Sequence, residues 1–328
     1  MKKLLFILLS VIAFASCQSD MQSGDALSDR RIKVFRYDRL QYEATVMNSI
    51  SAIQKMNMDY PQATRILIED VLMLGSVDAP DINERLCTYY SDSVLLRLME
   101  EAEEKFSDMT PIEERLTEGF KRLKKEIPSL PVPQVYAQIS ALNQSVVVGD
   151  SLLGISLDKY MGEDYPLYKR YYYAYQRRSM TPERILPDCF TFYLVSLYPF
   201  GWETGHRTLF DVMMHQGKIN WLVRKILGYS SDAEMLGYTK AETDWCKKNG
   251  KKLWDWMVRR GHLSSTDPMV IRAYTHPDPN IILKGEPIPP IVGVWLGMQL
   301  TDKYMKEHPD VSVEALLECE DFRELTLE

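Results

Sequence analysis

The stretch PSLPVPQVYAQISALNQSVVVGDSLLGISL, residues 128–157, divides the chain and decides its fold class. Its prolines at 128, 131 and 133 end the helical pattern that precedes them. Short runs that favour strands follow at 135–139, 146–148 and 152–157, separated by the turn-forming pairs Asn143-Gln144 and Gly149-Asp150. The stretch therefore predicts a small antiparallel sheet near residues 134–157.

Helical patterns lie on both sides of this sheet. Before it, from about residue 44 to 126, apolar residues recur at helical spacing, and Pro61 and Pro111 fall where first helical turns tolerate proline. After it, Thr239-Lys240-Ala241-Glu242 has the composition of a capping box, and Asp267-Pro268 is typical of a helix start. We predict an α+β fold, mainly helical, with a single domain over residues 32–328.

Two glycines four residues apart mark a later helix. Gly293 and Gly297 lie on one side of the predicted helix around VGVWLG, residues 292–297. Because glycine has no Cβ, a neighbouring backbone can approach this side closely. We predict close helix packing at this point.

The N-terminus has the pattern of a bacterial lipoprotein signal peptide. Lys2 and Lys3 precede an apolar run that is too short to span a bilayer comfortably, and small residues lead up to Cys17. Residues 1–16 are predicted to be removed, leaving a lipidated Cys17. Residues 17–31 then form the lipidated end and a polar tether. The membrane is thus the first predicted partner, reached through the lipid.

Charge and cysteine content exclude several classes. The formal net charge of −7 becomes −9 without the signal peptide, because Lys2 and Lys3 are its only charged residues. An acidic chain gains nothing electrostatically from nucleic acid, so no nucleic-acid partner is predicted. The four cysteines after Cys17 are widely spaced, which predicts mostly buried thiols and leaves two disulfides open.

The familiar catalytic motifs are absent. The chain contains no H-E-x-x-H, no G-x-S-x-G and no G-x-x-x-x-G-K-[ST]. His206 and His215 are predicted on one helix, but nine residues apart they project to opposite sides and cannot share a metal through that helix alone. We predict no metal, no cofactor and no catalytic residue.

Two segments rich in basic residues are candidates for contact with a partner. Residues 165–178 interleave tyrosines with basic residues. This pattern favours an amphipathic helix whose tyrosines lie between core and solvent. A glycan-binding surface or a protein-partner surface remains an alternative. Its candidate surface residues are Tyr168, Tyr171, Tyr172, Tyr175, Arg177 and Arg178. The second segment, Lys247, Lys248, Lys251 and Lys252, is most simply a solvated helix face or end.

Several motifs in order resemble the gliding-motility lipoprotein GldB family. The resemblance runs from VFRYD at 34–38 through ISLDKYMG at 155–162 to MHQGK at 214–218, LGYT at 236–239, DWCKKN at 244–249 and IVGVWLG at 291–297. It implies a lipoprotein of a Bacteroidota-type envelope, associated with gliding and the secretion machinery that serves it. Relatives in non-gliding cells are expected, so motility of the host cell does not follow.

This family in turn resembles zinc-peptidase-like, or zincin-like, domains, in which a small sheet precedes the active-site helix. In that comparison Asp188 to Tyr193 stand where the His-Glu helix belongs, without a histidine. Gln216-Gly217 stands where a Glu-Gly segment would supply a ligand, and a neutral amide is a poor replacement for a carboxylate on zinc. The resemblance therefore implies a pseudo-peptidase whose degenerate site positions are Asp188, His206, His215 and Gln216.

The leading prediction is a non-catalytic lipoprotein that scaffolds a gliding or secretion type machinery through protein partners. Its expected place is the cell envelope, with the outer membrane favoured. The alternatives are an envelope hydrolase of peptidase type, using Asp188, His206 and His215, and a glycan-binding lipoprotein using the tyrosine segment.

Overall fold

Prolines and polar caps set the boundaries of the first helical half. A computed structural model describes residues 31–201, 207–277, 282–283, 286–320, 322 and 325. Pro61 and Pro111 both fall in first turns, as predicted, and Ser49 and Asp92 accept N–H bonds as N-caps. The helices are α1 (Tyr37–Thr45), α2 (Ile50–Asp59), α3 (Pro61–Arg65), α4 (Ile82–Tyr90), α5 (Ser93–Lys105) and α6 (Thr110–Glu126), with a π-helical segment at Ile66–Val71.

Capping boxes and a glycine set the helix boundaries in the second helical half. Thr208 and Thr239 each form a reciprocal capping box, Asp267 caps the next helix, and Gly228 ends a long helix in the left-handed conformation. The helices are α7 (Pro166–Tyr171), α8 (Ala174–Arg177), α9 (Ile185–Leu197), α10 (Leu209–Leu227), α11 (Asp232–Leu236), α12 (Lys240–Arg259), α13 (Pro268–Thr275), α14 (Val292–Glu307) and α15 (Val313–Glu318). Single 3₁₀ turns occupy Leu157–Lys159 and Pro182–Arg184.

The main sheet has four strands in the order β1-β2-β4-β3. They are β1 (Val34–Arg36), β2 (Gln134–Gln138), β3 (Val146–Gly149) and β4 (Leu152–Ser156), and a separate small hairpin pairs β5 (Ile282–Leu283) with β6 (Glu286–Pro287). The α+β class, mainly helical, and the location of the sheet near residues 134–157 are confirmed. From Arg31 onward the chain forms one compact unit.

The pairing within the sheet differs from the antiparallel sheet that the sequence predicts. β2 runs parallel to both β1 and β4, and only the β3–β4 hairpin is antiparallel. The physical reason is burial: Val135, Tyr136 and Ala137 of β2 are buried on both faces, which is typical of an inner parallel strand. β4 therefore folds back between β2 and β3, and β1 completes the other side.

A buried carboxylate holds the connection that brings β3 into place. Asp158, just after β4, accepts the backbone N–H of Ser140 (2.8 Å) and of Leu142 (2.6 Å). Ala141 and Leu142 both have positive φ, so these bonds stabilise a backbone conformation that side chains disfavour. The loop from β2 to β3 is thereby fixed to the end of β4.

The closest helix contact lies between α10 and α14. A Cβ on Gly297 would overlap the carbonyl oxygen of Met213, and a Cβ on Gly217 would overlap the backbone of Gly297. The predicted close packing at the glycine pair is confirmed. Among the described residues, no helix combines the length and the apolar content needed to cross a bilayer. Cys87, Cys189, Cys246 and Cys319 form no disulfide with one another, and Cys189 and Cys246 are buried.

Candidate functional site

The predicted degenerate site positions have separate structural roles. Asp188, in the first turn of α9, lies 3.1 Å from the Arg184 guanidinium and accepts a hydrogen bond from the Tyr160 hydroxyl at 3.0 Å. Burial raises the pKa of Asp188, and the charge of Arg184 opposes that shift. This carboxylate thus joins the start of α9 to the 3₁₀ turn before it and to Tyr160.

His215 and Gln216 lie on α10, away from the first turn of α9. His215 Nε2 is 2.7 Å from the carbonyl oxygen of Tyr198, and burial lowers the pKa of the imidazole. The side-chain oxygen of Gln216 is buried and has no hydrogen-bond partner within the described residues. No group of three or more His, Cys, Asp or Glu with metal-binding geometry occurs in the described parts of the chain.

His206 lies outside the described residues, as does Cys17. Helix α10 begins at Leu209, because Thr208 accepts the N–H of Asp211 while the Asp211 carboxylate accepts the N–H of Thr208. The single helix predicted for His206 and His215 therefore does not extend back to His206.

The tyrosine segment is not one amphipathic helix. It divides into α7 and α8, because Tyr172 and Tyr173 adopt extended backbone between them. Tyr168 is fully buried and its hydroxyl is bonded to the backbone of Asp158 and Met161, so it cannot contribute to a surface. The hydroxyl of Tyr172 donates to the carbonyl of Leu142 at 2.8 Å.

The other four predicted surface residues remain accessible to different degrees. Tyr171 is exposed, whereas Tyr175 is half-buried and stacks on the exposed ring of Tyr173. Arg178 makes two bonds to Glu242 at 2.7 and 2.8 Å, and Arg177 donates to the carbonyl of Glu163. The segment is therefore largely internal scaffolding with a small aromatic surface.

An open groove lies along the free edge of β3. Its cavity has a volume of about 770 Å³. One wall is formed by α3 and the π-helical segment, through residues such as Ile66 and Asp70, and the other by Phe192 and Val195 of α9. Phe192 is 45% exposed and Val195 37%, so both apolar side chains reach solvent inside the groove.

The backbone at the floor of this groove has free hydrogen-bonding groups. Ser156 donates its N–H to the carbonyl of Ser145 at 3.0 Å, which makes this a hydrogen-bonded pair of the β3–β4 ladder. Because such pairs alternate along an antiparallel ladder, Val146 and Val148 direct their N–H and C=O groups away from β4. Within the described residues no hydrogen bond reaches these groups. An extended peptide laid in the groove would meet them directly.

The opposite edge of the sheet is covered. Glu113 of α6 accepts the outward N–H of Val34 at 3.1 Å, and Thr117, one turn later, accepts the N–H of Ile32 at 2.9 Å. Both acceptors are buried. A fifth strand therefore finds no free donor at these two positions.

The groove is the feature that sequence reasoning missed. Its walls come from three distant segments, 62–70, 144–150 and 192–196, which no local pattern connects. One clue was available: the sequence of α9 is apolar around most of the helix, although the predicted sheet before it is too small to cover all of it. Phe192 itself lies in the segment singled out by the zinc-peptidase resemblance.

Comparison with known protein families shows to which family the chain belongs. The family described as gliding motility protein GldB matches residues 20–327, nearly the whole chain. The chain belongs to the GldB family. No curated protein and no solved structure matches it. The resemblance stated from the motifs is confirmed, and the groove along β3 is a feature of a GldB family member.

Proposed function

We propose that this GldB family member is a non-catalytic lipoprotein of the cell envelope that holds an extended segment of a partner protein along the free edge of β3. The partner would belong to a machinery of gliding or secretion type, in line with the description of the family. The protein would be anchored through lipid on Cys17, with the outer membrane as its place. The observation that carries the proposal is the open edge at Val146 and Val148.

The chemistry of the groove favours an extended peptide over other ligands. Free N–H and C=O groups at alternate residues match the backbone of another strand, with its repeat of two residues. Phe192 and Val195 offer apolar contact to side chains on one face of that strand. Asp70 and Asp150 line the same cavity and have no ion pair within the described residues, which favours a lysine or arginine on the partner.

The contacts of Asp188 and His215 support a non-catalytic role. A general base must reach the proton that it removes, whereas these side chains are already bonded to Arg184, Tyr160 and Tyr198. The proposal also includes a fold shared with zinc-peptidase-like domains. The packing of α9 against β3 and β4 supports it, because the resemblance puts the active-site helix after the small sheet.

Complementation of a strain that lacks this chain tests the proposal. One variant carries Val148→Pro, which removes an outward N–H but no β3–β4 bond. The other carries Asp188→Asn, His206→Gln and His215→Gln. We expect the first to lose colony spreading or surface protein export at normal abundance and localisation, and the second to retain it. Loss of function in the second alone would favour the hydrolase.

One observation favours a second candidate, glycan binding. Tyr171 and Tyr173 are 58% and 73% exposed, and exposed tyrosine rings can stack on sugar rings. Loss of binding to envelope glycans in a Tyr171→Ser, Tyr173→Ser variant, with function lost as well, would favour this role. Retained function would leave the groove as the site of action.

A further inference from the structure

The exposed side of α12 is strongly basic in an otherwise acidic protein. This side, named here the α12 basic face, carries six exposed cations: Lys240, Lys247, Lys248, Lys251, Lys252 and Arg259. On a helix of 100° per residue they fall in one arc, opposite the buried residues Cys246, Leu253 and Met257. Only Asp244 and Asp255 supply negative charge within the arc.

Two of these cations form ion pairs within α12. Lys240 pairs with Asp244 at 2.6 Å, and Lys251 lies 3.8 Å from Asp255. No ion pair reaches Lys247, Lys248, Lys252 or Arg259 within the described residues. With six cations against two carboxylates, the α12 basic face keeps an excess of positive charge among the described residues of the helix.

Pairs of lysines on this face repel each other. Lys247 with Lys251, and Lys248 with Lys252, are pairs of like charge four residues apart on the helix surface. Asp244 and Asp255 each lie four residues from a cation on either side and offset part of this repulsion, which leaves six cations against two carboxylates. An external anionic surface would relieve the repulsion.

The shape of the face distinguishes between anionic partners. Twenty residues of helix give a straight row of about 30 Å. The groove along β3 contains no residue of α12, so the basic face is separate from it. Val258 lies within the same arc and is 53% exposed, an apolar side chain among the cations. A long basic helix face with an exposed apolar residue fits a membrane interface.

We propose that the α12 basic face rests on the anionic phosphates of the membrane to which the protein is anchored. This inference rests on the lipid anchor at Cys17 in the proposed function, but not on the groove along β3. The acyl chains on Cys17 would hold the protein on the membrane, and the basic face would add an electrostatic contact with the anionic phosphates. The contact would also fix the orientation of the domain above the membrane.

Amine-reactive footprinting of the full acylated chain tests the contact. The chain is reconstituted in vesicles of phosphatidylcholine alone, or of phosphatidylcholine mixed with phosphatidylglycerol, and labelled at less than one modification per molecule. We expect labelling of the α12 lysines to slow about fivefold in the anionic vesicles and to recover in high salt. Lys55, Lys105 and Lys125, which are exposed elsewhere, serve as internal controls and should label equally in both.

Two variants make the result specific. Replacing Lys247, Lys248, Lys251 and Lys252 with Gln should abolish the protection of Lys240 in anionic vesicles. Val148→Pro should leave that protection unchanged, which separates this inference from the groove. Equal labelling in both vesicles would overturn the proposal, and protection seen only in native envelopes would assign the face to an acidic protein instead. A chain that fails to join neutral vesicles would refute the anchor, while salt-sensitive binding to anionic vesicles would still support the face.

Discussion

The two edges of the main sheet differ, because the edge at β1 is covered and the edge at β3 is open. At β1, side chains of α6 take up the outward N–H groups of Ile32 and Val34. At β3, the outward groups of Val146 and Val148 open into a groove with apolar walls. Natural proteins usually block free edges because an open edge recruits other strands. An edge left open beside one that is closed indicates a place for a specific strand.

The largest effect is expected from proline placed on alternate residues of β3. Val147→Pro removes a bond to Gly154 and leaves a carbonyl unsatisfied, which should lower the free energy of unfolding by about 2–3 kcal/mol. Val148→Pro removes only an outward N–H and should change it by less than about 1 kcal/mol. Urea denaturation of the two purified variants measures the difference. Equal destabilisation would mean that the N–H groups of Val147 and Val148 do not point to opposite sides of β3 as described.

The next effect concerns the covered edge. Glu113→Ala leaves the N–H of Val34 without an acceptor and removes the contact to Lys33, so we expect a loss of about 1–2 kcal/mol in the free energy of unfolding. Glu114→Ala is the matched control, since Glu114 is exposed and, among the described residues, forms an ion pair with Arg31 alone. It should stay within about 0.5 kcal/mol of the wild type. A neutral Glu113→Ala would show that the edge of β1 needs no cover.

A smaller effect is expected from two phenylalanines of similar exposure. Phe192, in the groove, is 45% exposed, and Phe35, on β1, is 42% exposed. Phe192→Ser should weaken retention in the native envelope complex by about 1 kcal/mol, because part of its ring would be buried by the partner. Phe35→Ser should leave retention unchanged. Native electrophoresis of solubilised envelopes compares them, and equal losses would remove the preference for the groove.

The smallest effect is expected from the groove carboxylates. Asp70→Asn with Asp150→Asn should weaken the same complex by less than about 1 kcal/mol, and only at low ionic strength, because exposed charges are screened by salt. Asp59→Asn, beside Phe35 at the other edge, is the control. A salt-independent loss would point to a structural role for these carboxylates.

The sequence predicts local features better than pairings between distant segments. The capping box at Thr239 and the close packing at Gly297 follow from a few neighbouring residues, and both are confirmed. The order of the strands depends on the return of β4 between β2 and β3, which alternation along single strands does not encode. β1 was not predicted, because it has only three residues and α1 begins directly after it.

The candidate site was harder to predict for the same reason. Asp188, His215 and Gln216 stood out by residue type, but Asp188 and His215 bond to other parts of the fold, and the side-chain oxygen of Gln216 is buried. The groove uses backbone groups of Val146 and Val148, which have no signature of their own in the sequence. Edge position is a property of the assembled sheet, so only the structure shows which valines are free.

Amide hydrogen exchange at single-residue resolution on the purified full chain tests the contrast between the edges most directly. The account predicts alternation along β3, with fast exchange at Val146 and Val148 and slow exchange at Val147, whose N–H is bonded within the ladder. At the other edge, the outward amides of Ile32 and Val34 should exchange slowly, because Thr117 and Glu113 accept them. Slow exchange at Val146 and Val148 in the isolated chain would contradict the account, because the edge of β3 would then already be covered.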